Sequence, residues 1–321
     1  MSYKNVDMVF VCRGRPGLGH ITPSVAIAQH LSSTIDYCFI TYDTGPVILK
    51  ERGMPFIRIE GPPLGQRLSP FFDFMECKKN IWPFIKKLNP TVVVTDGEYY
   101  LPHICRENKV KNTIITTRHY LEGNIGQYKK YFDVIKILFR AADRIFYHGL
   151  KESDETRISA EFAGQFVGKF QKVKEEDVIT VSTGGGNLDH MKKNDDAVFE
   201  KILEIKGFKF NLFTGATGRF SRNIIEEFCR GRAVIARAGL VTLEELLYLG
   251  KPSVLLVPKD DEEKFSNACL AEKIGLGIKI MEDEYEEGNF KDILKKVMEK
   301  RPIASKSNGA AHVAKILEDI I

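Results

Sequence analysis

The chain has 321 residues, 43% of them hydrophobic, and 47 basic against 43 acidic side chains leave a net charge of +4. That length buries a sizeable core and suits two domains. The mildly basic balance fits an anionic small molecule or an anionic membrane surface and is too weak to argue for nucleic acid.

In chain order, apolar strands are predicted at Val6–Cys12, Ile35–Thr41, Pro55–Ile59, Thr91–Thr95, Thr113–Thr116 and Arg144–His148, alternating with helical patterns such as Pro23–Leu31 and Phe71–Leu88. The alternation restarts after a charged linker, Lys169–Asp177, with strands near Val178–Ser182, Phe208–Phe213, Ala233–Ala236, Ser253–Val257 and Gly277–Ile280. Alternating β and α elements imply parallel sheets with helices on both faces. The expectation is therefore two doubly wound α/β domains, 1–168 and 169–321, facing across a cleft, with the last helix free to return to the first domain. The opening segment reads as a buried strand and not a signal peptide. No run approaches the roughly 18 apolar residues of a membrane span. Six cysteines (Cys12, Cys38, Cys77, Cys105, Cys229 and Cys269) form no C-x-x-C pair. They read as reduced thiols of a cytosolic protein without structural zinc.

Ligands of doubly wound sheets sit at the carboxyl ends of strands, and three of the loops there are glycine-rich. The first, Gly14-Arg15-Pro16-Gly17-Leu18-Gly19-His20, lacks the i, i+2, i+5 glycine spacing of dinucleotide-binding folds, which weakens a dehydrogenase reading that Asp43 keeps open. His20 closes this loop at a helix entry, where an imidazole can take a proton from a hydroxyl at neutral pH or simply bond to backbone. Such a base needs an orienting carboxylate. Asp96, at the end of the apolar strand in PTVVVTDGE, falls on the same sheet edge, and Glu98 competes with it. His119, in Thr116–Tyr120, faces the same way; the remaining histidines form no cluster.

The second loop is Ser182–Asn187, and the third is the turn Arg237-Ala238-Gly239 before an apolar helix. A helix start offers unpaired N–H groups to an anion. Thr242 and Glu245 stand three apart there, either as a capping box, with Glu245 folded back onto the Thr242 amide, or with Glu245 accepting from a vicinal diol. Asp260-Asp261-Glu262-Glu263 reads as a solvated helix start, and no Asp-x-Asp cluster suits a magnesium diphosphate, so no metal site is assigned. Phe71–Met75 with Lys78, Lys79, Trp82, Phe84, Lys86 and Lys87 reads first as a packed helix with a solvated lysine face. Its alternative is a surface for an anionic membrane.

Gly17-Leu18-Gly19-His20-Ile21-Thr22-Pro23, followed by Arg237, Gly239, Thr242, Glu245, Gly250, Pro252, Pro258, Asn267 and Ala268, resembles the two-domain GT-B glycosyltransferases. The similar branch holds the lipid II N-acetylglucosaminyltransferase and the macrolide glycosyltransferases. The resemblance implies an inverting, metal-independent transfer from a nucleoside-diphosphate sugar, with UDP expected, to an acceptor hydroxyl or to a lipid-linked or phosphorylated acceptor. The sugar nucleotide is a co-substrate and no cofactor is implied. His20 with Asp96 would be catalytic. Arg15, Gly17, Gly19, Glu98 and His119 would lie on the acceptor side. Gly184, Gly185 and Gly186 would approach the donor phosphates or the acceptor, and Phe220 and Ser221 the base. Leu240 and Val241 would offer amides, Glu245 would hold ribose, and Arg237 would meet leaving-group charge. Glu263, Lys264 and Asn267 would line the sugar end, where relatives carry Gln in place of Lys264. The implied setting is the cytoplasm or the inner membrane face. A non-hydrolysing epimerase or a silent nucleotide-sugar-binding protein are the alternatives.

Overall fold

Met8, Phe10 and Cys12 enter one apolar cluster while Val9 and Val11 enter another. That two-residue alternation, apolar on both sides, is what a strand covered by helices on both faces requires. A computed structural model describes residues 5–14, 18–61, 70–118, 136–152, 159–184, 197–213 and 223–321. By contacts the chain divides into unit 1, Met1–Gly168 with Gly309–Ile321, and unit 2, Lys169–Asn308.

Unit 1 carries the strands β1 (Met8–Cys12), β2 (Tyr37–Thr41), β3 (Phe56–Arg58), β4 (Val92–Asp96), β5 (Thr113–Arg118), β6 (Arg144–His148) and β7 (Glu161–Gly164). They form one sheet in the order β3-β2-β1-β4-β5-β6-β7, with every pairing parallel. Its helices are α1 (Ile21–His30), α2 (Gly45–Glu51), α3 (Pro70–Asn80), α4 (Trp82–Leu88) and α5 (Leu101–Glu107). One face of the sheet packs on Ile21, Val25 and Ile27 of α1, and the other on Ile81, Ile85, Leu101 and Ile104.

Unit 2 carries β8 (Ile179–Ser182), β9 (Phe210–Phe213), β10 (Ala233–Arg237), β11 (Ser253–Val257) and β12 (Gly277–Met281), in the parallel order β12-β11-β10-β8-β9. Its helices are α6 (Ala197–Leu203), α7 (Ile224–Arg230), α8 (Leu240–Leu249), α9 (Glu262–Lys273) and α10 (Glu287–Glu299). Val181, Ile235 and Leu256 pack against Phe199 of α6 and Phe290 and Leu294 of α10. The fold is α/β with two parallel sheets.

The chain departs from the sequence expectation in two places, and a third feature is one the expectation left open. The pattern Phe71–Leu88 is two helices, broken at Ile81, because Pro83 has no amide to continue a helix and is tolerated only in a first turn. Strand β7 escaped notice, being four residues long with a charged start and a glycine end. The last helix, α11 (Gly309–Glu318), belongs to unit 1, where Ala310, Val313, Ala314 and Leu317 join the cluster around β1.

Truncating the fully buried Leu317 to Ala should cost about 2–5 kcal/mol. Trp82, the single tryptophan, packs on the core of unit 1. The urea transition followed by its fluorescence should therefore move to lower denaturant; an unmoved midpoint would mean that α11 does not support unit 1.

Candidate active site

Open α/β sheets bind ligands beyond the carboxyl ends of their strands, where the strand order reverses. In unit 1 that reversal lies between β1 and β4, which pair Cys12 with Asp96. In unit 2 it lies between β8 and β10, which pair Ser182 with Ala236.

At the first reversal, His20 stands at the amino end of α1, and its Nδ1 lies 2.6 Å from Asp96 Oδ1. Asp96 is 1% exposed, and its other oxygen accepts the Thr116 hydroxyl at 3.2 Å. An ionised carboxylate only accepts, so Nδ1 carries the hydrogen and Nε2 keeps the lone pair. This is the arrangement of a base held in one tautomer by a buried acid. Glu98, the competing carboxylate, is engaged elsewhere: Tyr42 Oη donates to it at 2.5 Å and Arg13 Nε lies 3.6 Å away. Burial pulls the Arg13 pKa down, but Glu98 and Tyr42 outweigh it and leave the guanidinium more firmly protonated than usual.

Two glycines make this packing possible. Gly97 has φ +90°, and a Cβ there would meet Arg13 Cβ at 2.7 Å and the His20 ring at 3.3 Å. A Cβ on Gly19 would lie 1.5 Å from Arg118 Nη2, so the guanidinium at the end of β5 rests on the backbone just before His20.

At the second reversal, α8 starts after Gly239, with no side chain capping it. The Leu243 amide is bonded to Gly239 O at 3.0 Å, so Leu240, Val241 and Thr242 precede the first intrahelical donor. Thr242 is thus the third residue inside the helix and not its cap, which removes the capping-box reading of Thr242 and Glu245. Glu245 is 5% exposed. Asn267 Nδ2 of α9 donates to Ala238 O at 3.2 Å and fixes the turn that leads into α8. After β8, Gly184 takes φ +83° with open space where a Cβ would stand. Beside it the hydroxyl of Thr183, 2% exposed, has no hydrogen-bond partner among the described residues.

Residues 168–320 match the glycosyltransferase family 28 C-terminal domain. A UDP-N-acetylglucosamine--N-acetylmuramyl-(pentapeptide) pyrophosphoryl-undecaprenol N-acetylglucosamine transferase of Caldicellulosiruptor saccharolyticus is 25% identical, over 93% of this chain and 90% of its own. The crystal structure of Acinetobacter baumannii MurG superposes with a TM-score of 0.62 at 13% identity, covering 97% of this chain and 99% of that one. Spinosyn rhamnosyltransferase SpnG complexed with thymidine diphosphate gives 0.64 at 14% identity, covering 98% and 96%. The chain is a GT-B glycosyltransferase.

Several charged residues of this glycosyltransferase have partners that the sequence did not show. Arg237 Nε bonds Glu282 Oε1 at 2.7 Å, and its guanidinium stacks 5.0 Å over the Phe199 ring, which makes it a brace at the end of β10. Lys264 pairs with Asp261, whose carboxylate also accepts the Lys264 amide at 2.9 Å and so caps α9. Glu263 lies in that first turn. Phe74, Trp82 and Phe84 pack on the core of unit 1, while Lys78, Lys79, Lys86 and Lys87 are exposed, as a packed helix with a lysine face requires. Arg15, Gly17, His119, Gly185, Gly186, Phe220 and Ser221 lie outside the described residues. Sequence reasoning gave no role to Arg13, Arg118 or Thr183; each follows an apolar strand at a reversal point or next to one, and that position was the available signal. All six cysteines are free, and among the described residues no cluster of His, Cys, Asp and Glu is placed to hold a metal ion.

Replacing Asn267, which is 4% exposed, by Ala leaves the Ala238 carbonyl without its buried donor. The expected loss is about 1–3 kcal/mol in chemical denaturation. Stability equal to the parent would show that the turn holds itself.

Proposed function

We propose that this glycosyltransferase moves a sugar from a nucleoside diphosphate, UDP by preference, to a hydroxyl with inversion at the anomeric carbon and without a metal ion. The observation that carries the proposal is the hydrogen bond from His20 to Asp96 at a strand-order reversal. The UDP preference rests on the Caldicellulosiruptor relative, whose name specifies a UDP-sugar donor and a pyrophosphoryl-undecaprenol acceptor. Nucleotide binding on this architecture is supported by the thymidine diphosphate held by SpnG.

In the proposed reaction the acceptor hydroxyl gives its proton to His20 Nε2 while its oxygen bonds to the anomeric carbon. The bond from that carbon to the β-phosphate oxygen breaks, and its electron pair leaves with the nucleoside diphosphate. His20 then releases the proton to water. Asp96 stabilises the imidazolium and keeps the ring oriented. The growing charge on the diphosphate meets the amides of Leu240, Val241 and Thr242 at the positive end of α8. Glu245 accepts from the ribose diol, and Gly184 allows close approach of the phosphates. Arg237, bound to Glu282, acts by holding the end of β10 in place and not by touching the leaving group.

Acceptor-dependent release of UDP should persist in EDTA and fall about 100- to 10,000-fold in both His20→Ala and Asp96→Asn. A change of sugar without UDP release would make the protein an epimerase. Binding with neither reaction, and no effect of His20→Ala, would make it a silent binder.

In a thermal-shift panel of UDP, GDP and dTDP sugars, UDP at about 100 times its dissociation constant should stabilise the protein by about 2.7 kcal/mol. Equal shifts with all bases would undo the UDP assignment. No helix among the described residues is long and apolar enough to cross a membrane. If a lipid-linked acceptor is used, contact with the bilayer is peripheral through the lysine faces of α3 and α4, and the protein should float with vesicles containing acidic lipid at low salt. Absence of flotation would remove that contact.

A further inference from the structure

The Asp96 carboxylate is held by both of its oxygens, and the reaction as written uses only the one that faces His20. The β4–β5 register, with Thr95 opposite Ile115, puts Thr116 level with Asp96, as the β1–β4 register puts Cys12 level with it on the other side. Residues level across parallel strands share a face of the sheet, so all three lie on the face covered by α1, the helix that His20 precedes. Two residues back along the same strands, Phe10, Val94 and Ile114 are fully buried in the cluster that packs on α1. Asp96 is 1% and Thr116 0% exposed, so a hydroxyl and not bulk water serves Asp96 Oδ2. Among the described residues, His20 and Thr116 are the hydrogen-bond partners of this carboxylate. The other titratable groups around it are engaged. Burial pushes the Cys12 thiol up against its hydrogen bond with Ser24, and the charges of Asp96 and Glu98 add to the rise, so Cys12 stands beside Asp96 uncharged. Glu98 accepts from Tyr42 with Arg13 beside it, and Arg118 lies against Gly19.

The last torsion of an aspartate is broad, whereas the two heavy atoms on the Cβ of a threonine restrict where its hydroxyl can stand in a strand. Thr116 is therefore the stiffer partner and sets which way the Asp96 carboxylate faces. We propose that Thr116 is a positioning residue of the transfer: its hydroxyl pins Asp96 Oδ2 so that Oδ1 stays on His20 Nδ1, which keeps the hydrogen on Nδ1 and the lone pair on Nε2 for the acceptor hydroxyl. The proposal rests on the reading of His20 as the base. An imidazole whose Nδ1 partner wanders carries its hydrogen on either nitrogen, and the neutral form protonated on Nε2 has no lone pair there to take a proton. The loss falls on turnover and not on donor binding, because the nucleotide is assigned to unit 2.

The test is NMR of nitrogen-labelled histidine in the full chain, at a pH where His20 is neutral, with its signals identified by their loss in His20→Ala. The parent should carry the hydrogen on Nδ1. Thr116→Val, which keeps the shape of the side chain and removes the donor, should share it with Nε2, and Thr116→Ser should resemble the parent. Acceptor-dependent UDP release should fall about tenfold in kcat in Thr116→Val, with the donor KM within about twofold of the parent, and recover in Thr116→Ser. A purely structural role would leave the tautomer where it is. If Thr116→Val folds poorly, Thr116→Ala removes the same donor and is read in the same way. A parent-like tautomer in the hydroxyl-free variants, an unchanged kcat where the tautomer has shifted, or Thr116→Ser altered as much as Thr116→Val overturns the proposal. If His20→Ala transfers sugar at the parent rate, the base reading falls on its own. A hydrogen that still leaves Nδ1 in Thr116→Val then upholds the hold of Thr116 on the pair, and one that stays overturns it.

Discussion

The site in unit 1 depends on the parallel pairing of β1 with β4 that sets Cys12 opposite Asp96. Because the two strands end level, the loop leaving β1 can bring His20 back over the end of β4, and the Arg13 amide bonds Asp96 O at 3.0 Å on the way. A register slip of one residue would turn Asp96 to the other face of the sheet and replace it with Thr95 or Gly97. Apolar side chains on both faces of β1 and β4 prevent that slip, since Val9, Val11 and Val93 fill one cluster and Met8, Phe10 and Val94 the other. The position of His20 over Asp96 is therefore anchored by hydrophobic burial several residues away.

The parts of this arrangement that were legible in the sequence are those governed by local pattern. Continuous apolar runs marked both β1 and β4, while the glycine loop with His20 and the aspartate ending PTVVVTD marked their carboxyl ends. Hidden were the features that depend on residues far apart in the chain. Nothing in Arg118 or Gly19 alone announces that one lies on the other. The break at Ile81 was missed because the apolar and basic pattern runs through it, although Pro83 was a local sign against one long helix. Strand β7 is too short for its alternation to register, and the return of α11 to unit 1, which the sequence left open, depends on which cluster its apolar face fills.

Charged residues illustrate the same limit. Arg237 and Lys264 both looked available for a ligand, yet Glu282 and Asp261 hold them. The Arg237 side chain is 10% exposed, and a guanidinium that far from water is stable only with a carboxylate partner. Removing Glu282 would take a carboxylate away from that cation beside Phe199, so the pair serves the architecture at the end of β10. Lys264 is more exposed, and its pairing within one helical turn is weaker in water.

Helices α8 and α9 follow adjacent strands of one sheet, and their starts are built in opposite ways. Asp261 fills the amino end of α9 with its own carboxylate and satisfies the Lys264 amide. At α8 Gly239 supplies no side chain, and Asn267 of α9 secures the carbonyl of Ala238 in the turn before the helix. A helix start that loses a capping side chain forgoes about 1 kcal/mol. That loss is offset only when something else takes the amides, water in the free protein or an anion in the complex. A carboxylate cap on α8 would occupy the position where the proposed diphosphate binds and repel its charge, so glycine there, with the turn braced from the neighbouring helix, keeps the site rigid while leaving it open.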